Sequence, residues 1–155
     1  MSLEDHIRKE HDTMRRLFAS LDGTGIEDAE QRATELDELL ALLEAHERAE
    51  ERTLYEATGA EPSLRELALE GLEQHRISRT LLAELGAVSV ADERWLPKLR
   101  AARGLVENHM LVEEGLVLPS ARDLLGPEAM AGLAERFKAH AEQPAMARAS
   151  RAAHP

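Results

Sequence analysis

No cysteine occurs among the 155 residues, so disulfides and thiolate metal ligands are excluded and the redox compartment cannot be read from the sequence. Aromatic residues are scarce, with one tryptophan, one tyrosine and two phenylalanines, and β-branched residues are few, so little favours strands. Apolar runs long enough to cross a bilayer are absent. The opening MSLEDHIRKEHD is polar where a secretory signal needs a continuous apolar stretch. Basic residues are outnumbered, 19 against 30 acidic, giving a formal net charge of −11, and they are scattered rather than gathered into a stripe. That distribution argues against nucleic acid and anionic membrane as partners, and a cytoplasmic location is expected.

What is abundant is alanine, leucine, glutamate and arginine, with apolar residues recurring at three and four. This is an all-α pattern. Turn-forming stretches DGTG (22–25), TGAEP (58–62), LGAVSVAD (85–92) and LGP (125–127) punctuate the chain. They predict four long helices over about 2–21, 27–58, 63–86 and 92–118, with a short fifth helix over about 127–141 presenting Met130, Leu133 and Phe137. Ser63 and Glu66 are placed to form a capping box at the start of the third helix. Pro119 is expected to stop or kink the fourth. Short connections join antiparallel neighbours, so the expected architecture is an antiparallel up-down-up-down four-helix bundle over 1–141, followed by a flexible tail over 142–155.

Each long helix places one histidine on its core-facing stripe. His11 follows Ile7 and precedes Met14 and Phe18 at helical spacing; His75 stands between Leu72 and Leu82. His46 with Glu50, and His109 with Glu113, interrupt leucine- and valine-rich stripes at i and i+4. The intervals repeat: 35 residues from His11 to His46, and 34 from His75 to His109. Aligning EHDTMRRLF with QHRISRTLL, and HERAEERTLY with HMLVEEGLVL, superposes every inward polar residue. The chain therefore looks like two copies of one helical hairpin, bringing four imidazoles and two carboxylates to the bundle centre.

Burying two unpartnered carboxylates costs several kcal/mol each, a large share of the roughly 5–15 kcal/mol that holds a domain together. Arginine and lysine are absent from these stripes near the polar layers, except for Arg79 one turn beyond His75. A bound cation is the economical partner. If Glu50 and Glu113 each bridge, they and the four histidines supply eight of the twelve bonds that two six-coordinate metals need. A bridging oxide or hydroxide supplies two more, leaving two positions open to a small molecule.

Histidine on the first helix, His-x-x-x-Glu on the second, histidine on the third and a second His-x-x-x-Glu on the fourth resemble the hemerythrin-like, or HHE cation-binding, family of non-heme di-iron proteins. The resemblance covers about residues 3–120. It implies His11, His46, Glu50, His75, His109 and Glu113 as iron ligands, with the two glutamates and an oxo or hydroxo group bridging two iron ions. Oxygen-carrying hemerythrins add a fifth histidine four residues from the third-helix one, but here those positions hold Gly71 and Arg79. The sequence is closer to six-ligand bacterial relatives, with which oxygen or iron sensing, peroxide decomposition and nitrosative-stress roles are associated. Affinity order alone would favour copper or zinc; bridging carboxylates, open positions and the resemblance favour iron. The expected function is binding of oxygen, peroxide or nitric oxide, with catalase-like peroxide decomposition as the enzymatic form. An iron or oxygen sensor is the alternative. His6, His140 and His154 are expected in solvent, and Met14 and Met110 in the core. Glu51 and Glu114 are expected on solvated faces, the alternative being that they orient ligands from behind. Tyr55 is expected to pack at the bundle end, the alternative being contact with the metal or its ligand.

Overall fold

The computed structural model describes residues 1–143. The predicted tail lies outside the described residues from position 144 onward, as does His154. Among the described residues the fold is entirely helical: α1 Leu3–Asp22, α2 Ala29–Glu51, α3 Leu54–Ala60, α4 Arg65–Ala87, α5 Trp95–Val112, a π-helical turn Glu113–Val117, and α6 Leu118–Ala141. Helices α1, α2, α4 and α5 are the four staves of the bundle, each packed against its two neighbours. No described helix is long and apolar enough to cross a membrane.

A reciprocal capping box starts α1 at Ser2 and Asp5, where Asp5 N–H donates to Ser2 Oγ at 3.1 Å and Ser2 N–H donates to Asp5 Oδ2 at 2.9 Å. The capping box expected at Ser63 does not form. Ser63 Oγ instead donates to Glu61 Oε1 at 3.1 Å, and α4 begins after Leu64 with no side-chain cap.

The predicted second helix is broken at Arg52 and Thr53 although neither glycine nor proline stands there. Thr53 Oγ1 donates to the Ala49 carbonyl at 2.6 Å, the acceptor that its own N–H would use in a continuous helix, and that N–H moves to Glu50 O at 3.1 Å. Arg136 on α6 then donates to the Arg52 carbonyl at 2.6 Å, holding the break in place.

The fourth helix does not stop at Pro119. The chain widens into the π turn just before it, so Leu118 N–H reaches back five residues to Glu113 O. Pro119 then sits in the first turn of α6, where its missing donor costs little. Gly126, at φ 80°, breaks α6 into two parts, and Pro127 restarts it as the expected short helix to Ala141. Met130, Leu133 and Phe137 on that segment are buried, as predicted.

The core is divided. One cluster, built around Phe18, Leu39, Leu85, Trp95 and Leu99, fills one end; a second, built around Ile7, Leu54, Leu118, Leu133 and Phe137, fills the other. Met14 and Met110 belong to the first, as expected. Arg32 is buried at that end too, its guanidinium stacked 4.5 Å from the Trp95 ring and donating to Thr24 and to the Val90 carbonyl. Between the two apolar clusters lies a polar layer made of the predicted histidines and glutamates.

Candidate metal centre

All six predicted residues meet in that layer, each at most 8% exposed. Two histidine pairs face each other. Nε2 of His11 and His46 are 3.0 Å apart, as are Nε2 of His75 and His109. Glu50 lies between the pairs, with Oε1 2.7 Å from His46 and 3.8 Å from His11, and Oε2 3.3 Å from His75. Glu113 lies between them as well, with Oε2 3.3 Å from His11 and 3.9 Å from His109. Two donor groups with atoms within 4.8 Å of one another result: His11, His46, Glu50 and Glu113, and Glu50, His75 and His109.

What stands behind the rings fixes their tautomers. Nδ1 of His11 donates to Glu114 at 2.7 Å, Nδ1 of His46 to Glu10 at 2.7 Å, Nδ1 of His75 to Glu51 at 3.1 Å, and Nδ1 of His109 to the Gln74 amide oxygen at 2.8 Å. In the neutral rings the proton is held on Nδ1, and every Nε2 turns its lone pair inward. The four carboxylate oxygens of Glu50 and Glu113 therefore have no hydrogen-bond donor, despite their short distances to imidazole nitrogens. Lone pairs and carboxylates pointed at one another make a favourable arrangement only around a cation, and the donor set fits a pair of metal ions.

In the metal-free chain protons take that role. Burial works against charge on His11, but the carboxylates of Glu113 and Glu50 outweigh it and raise the imidazole to about 9. His46 is likewise held well above its ordinary value by Glu50 and Glu10 despite burial. Burial and the neighbouring imidazolium charges push His109 down to about 3. Burial and the Glu50 charge lift Glu113 to about 7, whereas the histidines hold Glu50 well below the usual carboxylate range despite its burial.

The outer shell differs from the sequence reading. Glu51 and Glu114 are not solvated spectators: besides their histidines, Glu114 accepts from Arg15 at 2.8 Å and Glu51 accepts from Arg79. Glu10, Gln74 and the buried Glu47, bonded to Ser78 at 2.6 Å and to Arg79 at 2.8 Å, were not anticipated. Glu10 and Gln74 each stand immediately before an inward histidine in the repeat, a position that solvated side chains also take. His6 is half-buried beside Phe137 rather than solvated, and His140 is also half-buried; neither joins the centre.

Tyr55 does more than pack at the bundle end. The break before α3 carries its ring to 5.3 Å from His75 and 6.3 Å from His109, edge-on to the former. Its hydroxyl is buried without a protein partner, and burial with the Glu113 and Glu50 charges raises its pKa well above the ordinary phenol value. A Cβ on Gly71 would meet the ring carbon Cε1 at 2.5 Å and the hydroxyl at 2.7 Å. The phenol occupies the space that a side chain at position 71, such as a fifth imidazole, would need.

A four-helix bundle with histidines and shared carboxylates buried between two apolar clusters defines a cation-binding protein of the helical-bundle class. The Hemerythrin HHE cation binding domain matches residues 2–121, and the chain belongs to that family. A crystal structure of a hemerythrin HHE cation binding domain-containing protein from Mycobacterium kansasii is similar in fold, with TM-score 0.77 and 21% identity over 92% of this chain and 86% of that one. No curated protein matches.

Proposed function

We propose that the chain holds two iron ions, joined by an oxo or hydroxo bridge, and binds oxygen, peroxide or nitric oxide, with catalase-like peroxide decomposition as its enzymatic form. The reading is carried by one observation: two buried carboxylates, each within reach of both histidine pairs, have no donor on any of their oxygens. His11 and His46 would hold one ion, His75 and His109 the other, and Glu50 and Glu113 would bridge. Iron there would supply one-electron steps between ferrous and ferric states and open positions for a small ligand.

The chain's own groups do the rest. Glu10, Glu51 and Glu114 keep Nδ1 protonated and the rings aimed inward. The Tyr55 hydroxyl, unpartnered and facing the centre, would donate a hydrogen bond to a bound ligand. Apolar residues above and below exclude bulk water. In peroxide decomposition one peroxide is reduced to water while a second is oxidised to oxygen, so no outside reductant is needed.

The test is to compare iron content and peroxide turnover in the parent, Glu50→Ala and His109→Ala. Both variants should lose iron and turnover together; full turnover in an iron-free variant overturns the proposal. The donor-free carboxylates also favour a sensor reading, because a cation that relieves them contributes folding free energy. That reading requires iron to change oligomeric state or partner binding, with no peroxide turnover above that of free iron.

A further inference from the structure

The two hairpins repeat the Nδ1 hydrogen bonds of their four histidines with one chemical exception. Across the hairpins, Glu114 receives the Nδ1 proton of His11 and Glu51 receives that of His75. Within each hairpin, the residue before the first histidine receives the Nδ1 proton of the second. That residue is Glu10, 2.7 Å from His46, in one copy and Gln74, 2.8 Å from His109, in the other. Three ligand imidazoles are backed by carboxylates and the fourth by a neutral amide.

A carboxylate drawing on Nδ1–H makes the imidazole a stronger donor at Nε2; an amide oxygen does so far less. A metal held by the weaker donor stays more Lewis-acidic and takes an anionic ligand more readily. Access points to the same half. His109, at 8%, is the most exposed of the six candidate ligands, against 2% or less for the others. Two small cavities touch the centre, and Gln74 and His109 line both; the first extends as far as His46, and neither reaches Glu10 or His11. Gly71 and Tyr55, whose hydroxyl has no partner, line the second cavity.

We infer that Gln74 makes the two metal positions unequal, so that a small anionic ligand binds at the one held by His75 and His109 and enters through the seam between α4 and α5. This rests on the two-iron reading above. Gln74 acts as a positioning residue, through His109, and is not itself a metal ligand.

Azide is a suitable probe, because its binding to ferric iron is followed by a visible charge-transfer band. Iron content, azide dissociation constant and midpoint potential would be measured on the iron-loaded parent, on Gln74→Glu, and on the exchange variant carrying both Glu10→Gln and Gln74→Glu. Gln74→Glu should retain two irons per chain, bind azide roughly tenfold or more weakly, and show a lower midpoint potential. The exchange variant should also bind azide weakly, because it moves the amide away from the accessible half. An azide affinity in Gln74→Glu within about twofold of the parent, or loss of its iron, overturns the inference, as does recovery of parental affinity in the exchange variant. A parent chain that takes up no iron overturns the two-iron reading itself, which separates the two failures.

Discussion

Raising the pH should destabilise the metal-free protein and spare the iron-loaded one. His11 is raised from an ordinary 6.5 to about 9 in the folded chain. A group whose folded value is raised stabilises fully below its unfolded value and ceases to do so as pH climbs through the folded one. The stabilisation from His11 is therefore complete below about 6.5 and gone above about 9, a loss of roughly 3 kcal/mol at about 1.4 kcal/mol per tenfold change in proton concentration. His46 and His75, also raised, act in the same direction. Glu113, raised to about 7, loses its contribution earlier, between about 4.5 and 7, while His109, depressed to about 3, acts only below 6.5. For a domain this size roughly 3 kcal/mol corresponds to about 6–12 °C in melting temperature. Circular-dichroism melts of chelator-treated protein at pH 6.5, 7.5, 8.5 and 9.5 would measure the fall. Iron displaces these protons, so the loaded protein should show little of it, and the gap between the two forms should widen with pH. Glu50→Gln removes a carboxylate that raises all three histidines and should flatten the metal-free slope. A metal-free melting temperature that holds or rises across this range, or a slope undiminished in Glu50→Gln, would refute the reasoning.

Gly71→Ala places a Cβ 2.5 Å from the Tyr55 ring, and relieving that overlap should cost about 1–3 kcal/mol, read as a lower melting temperature; an unchanged value would mean the ring does not lie there. Glu114→Gln leaves the fold intact but withdraws the charge behind His11 and beside Arg15, so iron affinity in a competitive chelator titration should fall about 10–100-fold, and an unaltered affinity would remove Glu114 from the centre.

The six inward residues were legible because helical periodicity makes a polar residue on a leucine stripe conspicuous, and because the hairpin repeat writes the pattern twice. Gln74 and Glu10 were not singled out, since a residue one position before an inward histidine is turned about 100° round the helix, where solvated side chains also stand. Only the neighbouring helix decides which it is. The break at Thr53 depends on a hydroxyl that competes for the Ala49 carbonyl, and threonine carries no such signal by itself. The place of Tyr55 depends on that break, and so could not be read from spacing that assumed one continuous helix. Pro119 was expected to stop or kink the fourth helix; the chain widens into a π turn just before it, the proline takes a first-turn position where its missing donor costs little, and the helix continues. At Ser63 the capping motif was present in sequence, yet Glu61 engaged the hydroxyl first.

Metal content of the purified protein, taken with its absorption spectrum before and after dithionite, tests the central claim most directly. Two irons per chain with a near-ultraviolet oxo-to-ferric band that bleaches on reduction and returns with peroxide is the predicted result. Zinc, a single ion, or no metal after growth in iron-supplemented medium would contradict it.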